Sequence, residues 1–326
     1  METTGDGPLR GGIDLGGTKI EAIVVDSGNA VLGQSRRPTP HEGGPDGVAA
    51  AMATTMGEAA EAAGVQTSAL AGVGVGSPGQ VEPRSGIVSN AKNLPDWGGS
   101  FPMGARLADA LGTRVAVGND VSVAVLGEYE LGAGRHHDSV LGVFWGTGVG
   151  GGLILGGEQW HGRGAAGEVG HMVVERNGAR CPCGNRGCME AYAGRAAMEK
   201  EARKRHKAGE KTELFKLMKE HDRPRLTSGI WERALKQDDE MAADLIERAV
   251  KALGAGIASA VNLLDPEIVI LGGGLGVRFG ESLGPEIEKR MHKNLFDKVH
   301  PPQFTVAELG DLGGAIGAAL LVADSS

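Results

Sequence analysis

The chain has 326 residues, 41% hydrophobic and 23% charged, enough for two domains around a sizeable core. Its net charge of −8 and 4% aromatic content argue against nucleic-acid binding, which favours a basic face and stacking rings. No run of about 18 apolar residues occurs, and the N-terminal METTGDGPLR has no apolar stretch of a signal peptide, so the expected setting is cytoplasmic, with no membrane partner. Glycine is the anomaly: 56 residues, more than twice the usual share of about 7%, clustered between apolar segments without a fixed period. That pattern predicts close backbone approaches rather than collagen or disorder.

In chain order, residues 11–26 (GGIDLGGTKIEAIVVD) predict two strands joined by a glycine turn. Consecutive N–H groups in such a turn can nest phosphate oxygens, although a plain hairpin fits equally. Gly12 and Gly17 have Walker A spacing, but Thr18-Lys19 inverts the required order and a strand follows. A helix is predicted over 45–64 and a strand over 70–76. A turn-rich loop follows through Gly79 and Asn93 to Trp97, and long loops of this kind are usually functional.

Residues 103–111 predict a helix, 114–117 a strand and 121–131 a helix. Asp120 therefore lies at a helix N-terminus, where it can serve as the cap or as a base at a strand end. The strand–turn–strand plan returns over 139–157 around Gly146-Thr147-Gly148. Residues 146–151 satisfy GxGxxG, but Leu153-Ile154-Leu155 reads as strand where the dinucleotide motif needs a helix. Two such turns imply a duplicated domain closing on a nucleotide from both sides.

Residues 165–192 hold all three cysteines. His171, Cys181, Cys183 and Cys188 offer one imidazole and three thiolates, a closed set suited to structural Zn²⁺; reduced thiols in a polar turn are the alternative. Glu168 and Glu190 flank this loop. Folding it round a metal would draw them towards His171 as a row able to grip the hydroxyls of a small polyol, whereas each alone is an ordinary surface charge. The basic segment 199–225 reads as a solvated helical pair and 238–264 as a core helix. A buried strand, 267–271, meets a third glycine run at Gly272-Gly273-Gly274. Helix 285–293, strand 304–308 and a small-residue helix over 313–322 complete the chain.

GIDLGGTK, GTGVGGG, GEVGHMVV and CPCGNRGCME together resemble the repressor–ORF–kinase (ROK) sugar kinases of the actin/hsp70/hexokinase superfamily, from about Gly11 to Leu320. The resemblance implies an α/β fold of two duplicated, ribonuclease H-like domains with a zinc-binding loop. The small domain would span 1–120, with the C-terminal helix within 311–326 packing back on it; the large domain would span 121–310. It implies ATP-dependent phosphorylation of a hexose at its 6-hydroxyl, glucose first. N-acetylmannosamine, N-acetylglucosamine, mannose or fructose are alternative acceptors, and polyphosphate is an alternative donor, for which 199–225 could be a landing surface.

Carried over by position, Asp120 matches the catalytic base. Asn119, Glu168, His171 and Glu190 match sugar-holding residues, with Gly79 and Asn93 in the loop across the pocket. Asp14 matches the carboxylate that positions Mg²⁺. Gly16, Gly17, Thr18 and Lys19 match the first phosphate turn, Gly146, Thr147 and Gly148 the second, and Gly273 and Gly274 the adenosine side. Val121, Ser122 and Trp145 depart from the usual pattern near the ligands. Family members are often homodimers. Regulators sharing the sugar domain carry a helix-turn-helix ahead of it, and the ten residues before Gly11 are too few for one.

Overall fold

The computed structural model describes residues 7–91, 94 and 96–323. The elements are β1 (Arg10–Leu15), β2 (Lys19–Val25), β3 (Val31–Pro38), α1 (Gly44–Ala62), β4 (Val73–Ser77), β5 (Gln80–Glu82), β6 (Ile87–Ser89), α2 (Met103–Leu111), β7 (Val115–Asn119) and α3 (Asp120–Leu131). There follow β8 (Ser139–Trp145), β9 (Val149–Leu155), β10 (Glu158–Gln159), α4 (Glu190–Ala193), α5 (Arg195–Lys207), α6 (Leu214–Glu220), α7 (Ser228–Leu235), α8 (Glu240–Leu264), β11 (Ile268–Gly272), α9 (Gly273–Asn294), β12 (Gln303–Val306) and α10 (Gly313–Leu320). They form two compact units. The first takes in the chain up to Arg135, Gln159–Ala166 and the part from Glu308 on; the second takes in His136–Glu158 and Gly167–Ala307.

The first unit is built on a sheet of order β3-β2-β1-β4-β7. β1 and β2 pair antiparallel across the glycine turn, while β1, β4 and β7 run parallel. Alternation along the strands sorts the faces. Ile13, Leu15, Ile20, Ala22 and Val24 pack with Val48, Met52 and Met56 of α1, and Ile23 and Val25 meet Ala315 and Ala319 of α10 on the other side. α10 seats directly on the strand backbone because the sheet offers it glycine. A β-carbon at Gly12 would collide with the Ala315 carbonyl oxygen, and one at Gly74 with that of Ala318. The expected close approaches are therefore one physical source of the glycine excess.

The second unit repeats the plan as β10-β9-β8-β11-β12, with β8 and β9 antiparallel and β8, β11 and β12 parallel. This is the mixed, duplicated α/β architecture expected.

Several elements differ from expectation. β3 and α7 were not expected, and the loop after β4 contains the β5–β6 hairpin. The helix expected over 285–293 begins at Gly273, so the third glycine run is its first turn, and Pro285 lies inside it. Packing of α9 along α8 outweighs the one hydrogen bond that proline removes. α3 lies with the first unit, packed on α10 and β4, although a boundary at 120 would put it with the second.

Candidate active site

In the first unit, Asp14, Gly76 and Gly118 are register partners across the three parallel strands, as are Ser77 and Asn119. Asp14 and the Asn119–Asp120 pair thus share the carboxyl edge of the sheet, two strand spacings or about 10 Å apart. Parallel α/β sheets present their ligands at this edge. Asn119 caps α3: its side-chain oxygen accepts from the N–H groups of Val121 (3.1 Å) and Ser122 (3.2 Å), and its amide donates to the Gly79 carbonyl at 3.2 Å. Asp120 is the first helical residue, its Oδ1 accepting from Val121 N–H at 2.9 Å. The cap is therefore Asn119, not Asp120.

The first glycine turn closes with Gly16 N–H on the Lys19 carbonyl (2.9 Å). Thr39, which the sequence did not mark, pins it from β3's end, its hydroxyl donating to Gly16 O at 2.6 Å and its N–H to Thr18 O at 3.1 Å. Asp14, Glu21 and Arg36 form one cross-strand row. The fully buried Glu21 carboxylate accepts from Gln34 (2.9 Å), Lys19 (3.3 Å) and Arg36. Burial pushes the Asp14 carboxyl up to about 6; Lys19 opposes this, and the charges of Glu21 and Asp311 add to it.

In the second unit, the Gly146-Thr147-Gly148 turn joins β8 to β9, with Gly146 N–H on the Gly148 carbonyl at 3.0 Å. Gly273, at φ +80°, lies so close to Trp145 that a β-carbon would stand 2.7 Å from its carbonyl oxygen, and Gly274 N is 3.9 Å from where a Gly146 β-carbon would be. The second and third glycine runs are thus neighbours. Trp145 is a buried tie, donating from its indole to Ala193 O at 2.6 Å.

The cysteine loop doubles back through Cys181 N–H to Asn185 O (2.9 Å) and Gly187 N–H to Ala179 O (2.8 Å). The ligand atoms of His171, Cys181, Cys183 and Cys188 all lie within 4.8 Å of one another. Cys181 Sγ is 3.7 Å from His171 Nδ1, and Cys183 Sγ is 3.7 Å from Cys188 Sγ. Atoms held 2.0–2.3 Å from a zinc ion at tetrahedral angles stand roughly 3.4–3.8 Å apart, so the donor set fits that ion. Burial pushes the Cys181 thiol up to about 12 in the bare protein, a penalty a bound cation would relieve.

Nδ1 faces the cysteines, and Nε2 stands 3.8 Å from Glu168 Oε2, beyond hydrogen-bond reach. Glu190, the first residue of α4, spans loop and turn: Oε2 accepts from Val149 N–H at 3.1 Å, and Oε1 is 3.9 Å from Cys181 Sγ. Glu168 and His171 are thereby neighbours, while Glu190 turns towards Val149 and Cys181. Asn93 falls outside the described residues. Arg195, unmarked in the sequence, donates to the Thr147 hydroxyl at 2.8 Å. It lies ahead of the basic segment 199–225, and nothing local in the sequence distinguishes it.

A family model, the ROK family, matches residues 10–325. The chain belongs to the ROK family. A glucokinase of Thermotoga maritima is 35% identical over 316 residues, spanning 95% of this chain and 96% of the relative. An N-acetylgalactosamine kinase of Shewanella is 34% identical over 319 residues, spanning 95% of each chain. Among solved structures, a ROK family glucokinase from Streptomyces griseus in complex with glucose and AMPPNP is 34% identical, with a TM-score of 0.81 over 96% of this chain and 98% of that one. Among the described residues of this ROK chain, no helix is long and apolar enough to cross a membrane.

Proposed function

We propose that the protein transfers the terminal phosphoryl group of ATP to the 6-hydroxyl of a hexose, with glucose as the foremost acceptor. The observation that carries the reading is likeness over nearly the whole chain to glucokinases, one of them solved with glucose and AMPPNP. The position of Asp120 agrees with it. Asp120 stands at the sheet's carboxyl edge, where its carboxylate would accept the proton of the attacking hydroxyl. The sugar oxygen forms its bond to the terminal phosphorus as the bond to the leaving ADP oxygen breaks.

Asn119, Gly79, Glu168, His171 and Glu190 hold the sugar, joined in this proposal by Asn93. Gly16, Gly17, Thr18, Lys19, Gly146, Thr147 and Gly148 cradle the phosphates, with Gly273 and Gly274 on the adenosine side. Asp14 would hold magnesium through water, and His171, Cys181, Cys183 and Cys188 would hold a structural zinc. Magnesium supplies charge neutralisation on the phosphates.

A second acceptor class, N-acetylated amino sugars, is favoured by the 34% identity to an N-acetylgalactosamine kinase. Release of ADP over a panel of glucose, mannose, fructose and the three N-acetylhexosamines decides between them. The expected ranking by kcat/KM puts glucose first; an N-acetylhexosamine ahead of it by tenfold would reassign the substrate. With polyphosphate in place of ATP, formation of the sugar phosphate is followed instead, and no turnover is expected.

A further inference from the structure

We infer that Arg195 is a donor-binding residue of the second phosphate turn, its guanidinium and the Thr147 hydroxyl forming one anion-binding pair for the phosphate chain of the nucleotide. The inference rests on the kinase reading above and adds to it the cation that the glycine turns lack in this unit.

Arg195 opens α5, and the opening of that helix is fastened to the turn. Its own N–H bonds the Gly146 carbonyl at 3.1 Å, and the next N–H, from Ala196, bonds Thr147 O at 3.0 Å. The side chain then returns to the same turn, Nη2 donating to Thr147 Oγ1 at 2.8 Å while Nη1 donates to Leu226 O at 3.1 Å. The guanidinium is thus fixed at two points, and three of its five donors remain.

Among the described residues no carboxylate lies within ion-pair distance of Arg195. The acid one helical turn along, Glu199, is occupied by Arg203 at 2.6 Å and by Leu226 N–H at 3.1 Å. Burial works most against the charged form of Arg195; Glu199 favours that form without pairing to it, and the charge of Arg225 opposes it. A fixed, partly buried cation without an ion-pair partner suits an anionic ligand. The bond to Thr147 completes the arrangement: by donating into the hydroxyl oxygen, the arginine leaves the Thr147 O–H proton to be donated onwards. An incoming phosphate oxygen would meet a hydroxyl proton and guanidinium donors beside a glycine turn. The same bonds could instead serve only to brace the Leu226 segment against the turn.

The test uses the full-length protein, with ADP and adenosine as probes in titration calorimetry, because the two differ in phosphate alone. In Arg195→Gln the ADP dissociation constant is expected to rise about tenfold or more, the size of a lost charge-assisted hydrogen bond, with adenosine binding within twofold. The salt dependence of ADP binding should also flatten. Should Arg195→Gln not fold, Arg195→Lys carries the test: it keeps charge but not the fork, so ADP should weaken a few-fold with adenosine unchanged. Equal weakening of ADP and adenosine, or ADP binding within twofold of wild type, would establish the brace and overturn the inference. A wild type that binds neither probe would overturn the donor reading itself, which separates that failure from this one.

Discussion

Asp120 and Asn119 are adjacent, yet the hydrogen bonds divide capping from chemistry. Asn119 accepts from Ser122 N–H and shares Val121 N–H with Asp120 Oδ1, so removing it takes the side-chain partner from Ser122 N–H. Asn119→Ala is expected to cost about 1 kcal/mol in denaturant unfolding. Asp120→Asn should leave the unfolding midpoint within error and lower kcat by about 10²-fold or more in steady-state assays. Near-normal turnover in a well-folded Asp120→Asn protein would remove it as the base.

Asp14 makes the opposite trade. Its folded pKa, about 6, lies above the ordinary 3.8, so the folded state binds the proton more tightly than the unfolded one. The protonated carboxyl therefore costs nothing extra below about pH 4, and stability is lost as pH rises through 6. Without magnesium at pH 7.5, Asp14→Asn should be the more stable protein by about 3 kcal/mol, with the difference vanishing by pH 4. Its kinase activity should collapse. Matching pH–stability curves for wild type and variant would show that Asp14 carries no such penalty.

Elements legible in the sequence were those whose pattern is local. The two strand–turn–strand units show as apolar runs meeting at glycine, and α2 was bounded at Met103 and Leu111 by its periodicity. β3 was not legible, because VLGQSRRP is a half-exposed strand that owes its place to pairing with β2. α9 was misread for a related reason: Gly273-Gly274 and Pro285 speak against helix locally, and packing on α8 overrules them. For the candidate site, cysteine spacing marked the four side chains that the fold brings together, whereas Arg195 and Thr39 bond to residues distant in sequence.

The glycines separate tertiary from local cost. Gly74 faces α10, where a β-carbon would strike Ala318 O, while Gly57 in α1 has open space around it. Gly74→Ala should therefore lose about 3 kcal/mol or more, since backbone must move. Gly57→Ala should gain about 0.5–1 kcal/mol from helix propensity. Denaturation midpoints shifted equally by the two would refute close seating of α10.

At the scale of the molecule, one sheet order occurs twice, and each copy places a glycine turn after its first strand. What distinguishes the second copy is the cysteine loop, and Glu190 ties that loop to the strand after the Gly146-Thr147-Gly148 turn. Its carboxylate reaches Val149 N–H just past the phosphate turn with one oxygen and approaches Cys181 with the other. Loss of a metal at His171, Cys181, Cys183 and Cys188 should therefore act on sugar and nucleotide binding together, because Glu190 and His171 lose their fixed directions at once. One zinc per chain is expected by elemental analysis. Exhaustive chelation, or Cys183→Ser at the exposed ligand, should remove it and weaken both glucose and ADP by about tenfold or more. The first unit's sheet contains none of these ligands. Hydrogen exchange should accordingly quicken across 165–192 and leave β1, β4 and β7 protected. Zinc-free protein that binds both ligands at full strength would reduce the loop to a peripheral staple. Zinc-free protein that loses protection in β1, β4 and β7 as well would show instead that the metal holds up the whole fold.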